Sequence, residues 1–316
     1  MKQIAIIGAG NWGTALAIVA ARAGHNVNLW SRTPRIVSTP ERVNATNDLG
    51  EALRDASMIL FAAPSHTARE LLTDIAPLLT EPAIIVSVSK GIEIDTGKRI
   101  SEIAREVVGG AHPFVCLSGP SFAKEVVAGY PTAIVAASKD IAAARTVQND
   151  LSFDNLRIYT NSDVVGTELG GSVKNVMAIA AGMTTGLGFG SNSVAALITR
   201  GLAEITRLAR REGAQIETLM GLAGLGDLVL TCTGTLSRNR YVGEELGKGK
   251  TLAEIMAGMH EVAEGINTAR AVKKLADRAG LEMPITNEVN AVLYDGKPAR
   301  DAVAELMSRP LREEIN

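Results

Sequence analysis

The chain has 316 residues, with 32 Lys and Arg against 34 Asp and Glu, for a net charge of −2. At about 100–200 residues per domain this length suggests two domains, and the balanced charge argues against a nucleic-acid or anionic-membrane binder, which carries a basic excess. Hydrophobic residues at 46% exclude a disordered chain, and aromatics at 3% beside 31 glycines call for an aliphatic, closely packed core.

The first apolar run, 4–7, leads directly into Gly8-Ala9-Gly10-Asn11-Trp12-Gly13 and a helical pattern over 13–23. Further β-branched runs at 27–30, 58–61, 83–88, 114–117, 132–136 and 156–159 predict strands, and 66–79, 98–108 and 141–150 predict helices. Strand–helix alternation at this spacing implies a doubly wound, mainly parallel sheet in a Rossmann-like α/β domain, residues 1–161. After Asn161 no convincing strand follows. The stretches 173–183, 194–211, 251–259, 268–279 and 300–307 read as helices, so 162–316 is expected to be an all-α domain. No low-complexity linker separates the halves, which predicts that they pack tightly.

Cys116 and Cys232 cannot build a disulfide framework, and with four scattered histidines no metal cluster can be read. Two buried thiols in a reducing cytosol are the expectation. No apolar run approaches about 18 residues, the length of a membrane span. The N-terminal run meets glycines too early for a signal peptide. The sequence reads as a soluble, cytoplasmic protein.

The GxGxxG sits in the context that gives it meaning, after a strand and at the opening of a helix. Gly8 allows the tight turn, Gly10 lets the backbone approach a pyrophosphate, and Gly13 lets helix and strand pack closely. The helix start supplies N–H groups and a positive dipole end. An NAD-selective fold places an acid after the second strand. Here the chain reads Leu29-Trp30-Ser31-Arg32-Thr33. Arg32 suits a 2′-phosphate and favours NADPH over NADH, unless it is a solvated loop cation. Lys90, after the 83–88 strand, is either a substrate contact at the ligand crevice or a surface lysine. In Gly119-Pro120-Ser121, Ser121 is placed to cap the following helix, and a capped helix start can also bind a ligand.

Lys174 lies beside an apolar stripe of Val173, Val176, Met177 and Ala180 in a helix of small residues. Buried there, it needs a partner or a task, and its pKa would fall toward that of a usable proton donor; the other reading is a lysine snorkelling to the surface. Asp227, the single acid of a Gly-rich apolar segment, is a plausible partner. Thr231 follows four residues later, one helical turn away if the segment is helical. Ser237-Arg238-Asn239 is a compact donor set suited to a phosphate.

Together these motifs resemble the bacterial NAD(P)-dependent glycerol-3-phosphate dehydrogenases. The matching runs are GAGNWGTALA at 8–17, SKGIE at 89–93, LSGPSFAKEV at 117–126, ELGGSVKN at 168–175, NSVAALITRGLAEITRLA at 192–209, GLAGLGDLVLTCTG at 221–234, SRNR at 237–240 and VAEGINTA at 262–269. The resemblance implies reduction of dihydroxyacetone phosphate to sn-glycerol 3-phosphate, the glycerophospholipid precursor, with NADPH or NADH and no metal. It implies dinucleotide contacts from Asn11, Trp12, Arg32, Lys90, Ala123, Arg238, Val262 and Glu264 beside the glycine loop. It implies substrate contacts from Lys90, Gly119, Ser121, Lys174, Asp227, Ser237, Arg238 and Asn239. Lys174 stands where the family has its proton donor, with Asp227, Lys90 and Thr231 around it. A homodimer is among the assemblies it allows. In one respect the chain departs from the family: residues 33–44 form a shorter loop than usual at the adenosine end.

Two other classes differ in what they need. A dehydrogenase of the same plan acting on an unphosphorylated hydroxy acid has no use for Ser237-Arg238-Asn239. A non-catalytic dinucleotide-binding regulator keeps the glycine loop but needs no buried Lys–Asp pair.

Overall fold

A computed structural model describes residues 1–33, 40–259, 263–311, 313 and 314. Its first half alternates β1 (Gln3–Ile7), α1 (Asn11–Arg22), β2 (Asn26–Trp30), β3 (Val43–Thr46), α2 (Leu49–Leu53), β4 (Met58–Phe61), α3 (Ala68–Ile75), β5 (Ile84–Ser87), α4 (Ile100–Val107), β6 (Phe114–Ser118), α5 (Ala123–Val127), β7 (Thr132–Ala137), α6 (Ile141–Leu151) and β8 (Leu156–Asn161). Among the described residues the strands form one sheet in the order β3-β2-β1-β4-β5-β6-β7-β8, parallel except at β6–β7. Nearly continuous aliphatic strands such as Met58–Phe61 are buried on both faces, as a parallel sheet requires. One face packs Leu16, Ala20, Val126 and Val147 from α1, α5 and α6; the other packs Leu53, Leu72, Ile100 and Ile103 from α2, α3 and α4.

The chain order reverses between β1 and β4, the crevice where such sheets bind ligands. Ile7 pairs with Trp30 and Phe61, and Ser87 with Phe61 and Cys116, so these strands end level. The loops that follow, at Gly8, Ala62, Lys90 and Gly119, therefore share one edge.

The second half is helical: α7 (Val164–Gly186), α8 (Ser191–Arg211), α9 (Ile216–Met220), a π-helical turn at Leu222–Gly226, α10 (Asp227–Thr233), α11 (Arg238–Gly247), α12 (Leu252–Ala257), α13 (Glu264–Ala279), α14 (Pro284–Tyr294) and α15 (Ala299–Met307). α7 is buried almost end to end. Glycines let its neighbours come close: a methyl on Gly182 would stand 2.0 Å from the Arg240 carbonyl oxygen, and one on Gly243 would stand 1.9 Å from that of Ile179. No helix of the described residues is long and apolar enough to cross a membrane.

The structure extends the expected helix at 173–183 back to Val164, where Asp163 caps it by accepting from Gly166 N. It adds β3, α2, α9, α10, α11 and α14, which the periodicity does not announce. It also corrects Ser121. Helix α5 starts at Ala123 with Phe122 at its cap and no side-chain cap bond. Ser121 lies one position too early, and its hydroxyl turns back to donate to the Gly119 carbonyl at 3.1 Å.

Candidate active site

The glycine loop lies at the β1–β4 reversal. Gly8 has φ +119°, and a Cβ there would stand 2.8 Å from the Ala62 backbone. A Cβ on Gly13 would stand 1.9 Å from the Gly8 carbonyl oxygen. Gly10 is different: it is exposed, and a Cβ there meets nothing within 4 Å. Two glycines thus close the turn while the third opens onto the crevice. Gly10 is the cap residue of α1 and brings no side chain over the first-turn amides. A helix start whose cap residue has no side chain, with open space at Gly10, fits a pyrophosphate, so the residues present suit a dinucleotide. Trp12 is half-buried next to it. Arg32, just past β2, is exposed and holds Glu70 at 3.2 Å. Val262 lies outside the described residues. Ala123 opens α5. Glu264 opens α13 and accepts from Ser65 N at 2.9 Å, joining the helical half to the loop after β4. Burial pushes the Glu264 carboxyl up, while the Ser65 amide and nearby Arg238 pull it back.

Two lysines meet on one aspartate. Lys174 Nζ donates to Asp227 Oδ1 at 2.5 Å and to Thr231 Oγ1 at 2.6 Å. Lys90 Nζ donates to Asp227 Oδ2 at 2.6 Å and to the Gly119 carbonyl at 3.1 Å. Lys90 is therefore neither a surface lysine nor remote from Lys174. Asp227 is 1% exposed and Lys174 5%. Thr231 passes its own hydroxyl hydrogen to the Asp227 carbonyl at 2.6 Å, which leaves its oxygen facing Lys174. Gly119 holds φ +140° against Ile134, and a Cβ would meet the Ile134 Cα at 2.9 Å, so the carbonyl that receives Lys90 is fixed by the fold. Two ammoniums against one carboxylate leave a net positive charge in a buried site. Burial pushes Lys174 down to about 8, and Lys90 adds to the fall while Asp227 opposes it. Such a group gives up a proton near neutral pH. Cys232, on the same turn as Thr231, is pushed up to about 12 by burial and stays a neutral thiol.

The third set begins α11. Ser237 caps the helix by accepting from Arg240 N, which leaves its hydroxyl hydrogen to point elsewhere. Asn239 Oδ1 accepts from Gly265 N at 2.9 Å, and its Nδ2 donates one hydrogen to Asn175 Oδ1 at 3.0 Å. One amide hydrogen of Asn239 remains. Arg238 between them is exposed. Nothing in its spacing singles out Asn175, yet it ties the α11 start to the residue after Lys174. Among the described residues no group of three or more His, Cys, Asp or Glu could hold a metal ion.

A dinucleotide loop at the strand ends of a mainly parallel sheet, facing a helical half that carries a buried Lys–Asp pair, is the plan of an NAD(P)-dependent dehydrogenase. Models of the NAD-dependent glycerol-3-phosphate dehydrogenase N-terminus and C-terminus match residues 3–144 and 163–304. The chain belongs to this family. It is 51% identical to the glycerol-3-phosphate dehydrogenase (NAD(P)+) of Citrifermentans bemidjiense, with 99% of each chain covered. It is 52% identical to that of Koribacter versatilis, covering 100% of this chain and 99% of the relative. The crystal structure of glycerol-3-phosphate dehydrogenase from Coxiella burnetii superposes with a TM-score of 0.93 at 40% identity, covering 98% of this chain and 99% of that one.

Proposed function

We propose that this chain interconverts dihydroxyacetone phosphate and sn-glycerol 3-phosphate with NAD(P)H, supplying the glycerophospholipid precursor. The observation that carries the reading is the buried Lys174–Asp227–Lys90 cluster beside the donor set of Ser237, Arg238 and Asn239. Residues 1–161 take the cofactor and 162–316 the substrate. The glycine loop receives the pyrophosphate, and Arg32 favours the 2′-phosphate of NADPH.

The nicotinamide, when bound, supplies hydride to the substrate carbonyl carbon. Charge then grows on the carbonyl oxygen. Lys90 and Lys174 place their ammoniums where a buried site makes them effective against that charge. Lys174 transfers its proton to the oxygen and completes the alcohol; in the reverse direction its neutral amine takes that proton back. Asp227 orients both lysines and balances one of them. Arg238, with the remaining hydrogens of Ser237 and Asn239, holds the phosphate, and Gly119 and Ser121 border the reacting end. This binding energy orients the carbonyl.

NADPH oxidation with dihydroxyacetone phosphate, set against unphosphorylated dihydroxyacetone, tests the reading. Robust turnover of the first and little of the second is expected. Equal turnover of both, or of neither, would overturn it. A cytoplasmic location is part of the proposal, supported by two buried free thiols that suit a reducing compartment; a homodimer is the assembly to test. A monomer mass in sedimentation would remove the dimer.

A further inference from the structure

We infer that the ion pair of buried Glu168 and half-buried Arg99 positions the two active-site lysines, setting the separation of Lys90 and Lys174 across the crevice. The inference rests on the reaction proposed above. Glu168 lies on α7, six residues before Lys174, and is 7% exposed. Both of its oxygens are engaged. Oε2 accepts from Arg99 Nη1 at 2.9 Å and Ser101 Oγ at 2.5 Å, and Oε1 accepts from Ser101 N at 2.8 Å. Arg99 is the cap residue of α4 and also holds Glu102 at 3.0 Å.

Arg99 is tied back to the first lysine. It forms an antiparallel bridge with Ile92, two residues after Lys90. A closed circuit results: Lys90 to Ile92 along the chain, across the bridge to Arg99, through the ion pair to Glu168, along α7 to Lys174, and through Asp227 back to Lys90. Gly171, midway between Glu168 and Lys174 on α7, faces the inside of the circuit. A methyl there would stand 2.6 Å from Ser118 Oγ and 3.7 Å from the Lys90 side chain. The helix is thus pressed onto the strand ends where Lys90 emerges, and the Glu168 clamp is the polar fastening that holds it there.

The groups facing Glu168 are Arg99 and Ser101 from α4 and Cys116 from β6. Burial pushes the Glu168 carboxyl up, and Arg99 and Ser101 hold it back, so the charged clamp depends on those partners. Lys174 is faced by Asp227 and Cys232 from α10 and by Lys90. If the clamp loosens, Lys90 recedes, Asp227 turns more fully to Lys174, and water enters. All three changes raise the Lys174 pKa.

The test uses the full chain with Glu168→Gln and, separately, Ser101→Ala. Readouts are kcat and KM for dihydroxyacetone phosphate against pH, NADPH affinity, thermal stability, and titration of Lys174 by NMR of isotope-labelled lysine. Glu168→Gln should lower kcat by about tenfold or more, because small misplacements of catalytic groups are costly. Its Lys174 titration and the alkaline limb of kcat should move up by roughly half a unit or more. NADPH affinity is measured alongside, because Lys90, which lies in the circuit, is also an expected dinucleotide contact. Ser101→Ala should shift both in the same direction by less. A merely structural role would lower the melting temperature and the active fraction yet leave the Lys174 titration in place, and that result overturns the inference. If Glu168→Gln does not fold, Ser101→Ala decides. An inactive wild type would sink the proposed reaction, while the NMR titration would still judge the clamp.

Discussion

Lys174→Met separates the chemical role of this lysine from its structural one. Burial lowers Lys174 from 10.5 to about 8, which at about 1.4 kcal/mol per unit amounts to roughly 3 kcal/mol. The sign follows from linkage. The folded-state pKa is the lower one, so the unfolded chain binds more protons between pH 8 and 10.5. The ammonium therefore costs stability below about pH 8, and stability recovers as pH rises through that window. Methionine removes this cost at neutral pH. Against it, Asp227 Oδ1 loses its donor at 2.5 Å while Oδ2 keeps Lys90; an unsatisfied buried acceptor costs about 1–3 kcal/mol. The two terms nearly cancel, so stability should change by less than about 2 kcal/mol. Turnover should fall by at least about 10³-fold, from lost proton transfer and lost charge stabilisation together. Denaturant unfolding, NADPH titration and steady-state turnover measure the three quantities. A folded variant that binds NADPH and keeps more than about a tenth of wild-type turnover would refute the proton-donor role and make Lys90 the next candidate.

Asp227→Asn leaves two buried ammoniums without their carboxylate. It should destabilise the fold by about 3–5 kcal/mol and move the alkaline limb of kcat to lower pH, because Asp227 raises the Lys174 pKa; an upward shift contradicts the arrangement. Arg32→Ala should weaken NADPH binding by about 1–3 kcal/mol and NADH binding less. Equal losses would show that Arg32 does not read the 2′-phosphate. Arg238→Ala should raise KM for dihydroxyacetone phosphate and also lower kcat, with NADPH affinity measured alongside; wild-type kinetics would place the phosphate site elsewhere.

Much of the sheet was legible because buried parallel strands are short aliphatic runs bounded by turns, while β8 shows itself by alternation, with Leu156 and Ile158 buried between exposed Arg157 and Tyr159. β3, with the sequence Val43-Asn44-Ala45-Thr46, is an edge strand with two exposed residues and no apolar run to announce it. Helix α11 was hidden by its glycines: Gly243 and Gly247 weaken a helix read alone, and only contact with α7 gives them a reason. The Lys174–Asp227 pairing could be read because a lone acid and a lone lysine in apolar surroundings need each other. The hold of Lys90 on the same carboxylate spans 137 residues of chain, and no local pattern encodes it. Ser121 shows the opposite limit, since a one-residue shift in a helix start turns a cap into a turn contact.

The glycine-lined seam between α7 and α11 also acts as a gauge. Lys174 rides on one helix and the Ser237–Asn239 set begins the other; backbone meets backbone at Gly182 and Gly243, and the Asn239–Asn175 amide bond ties the two helices beside Lys174. On the proposed reading, the span from the Lys174 ammonium to the phosphate-holding donors of Ser237–Asn239 is therefore set by this helix contact. A ketone phosphate with one more carbon between its carbonyl and its phosphate would seat one end and miss the other, so discrimination by chain length is set by the seam itself.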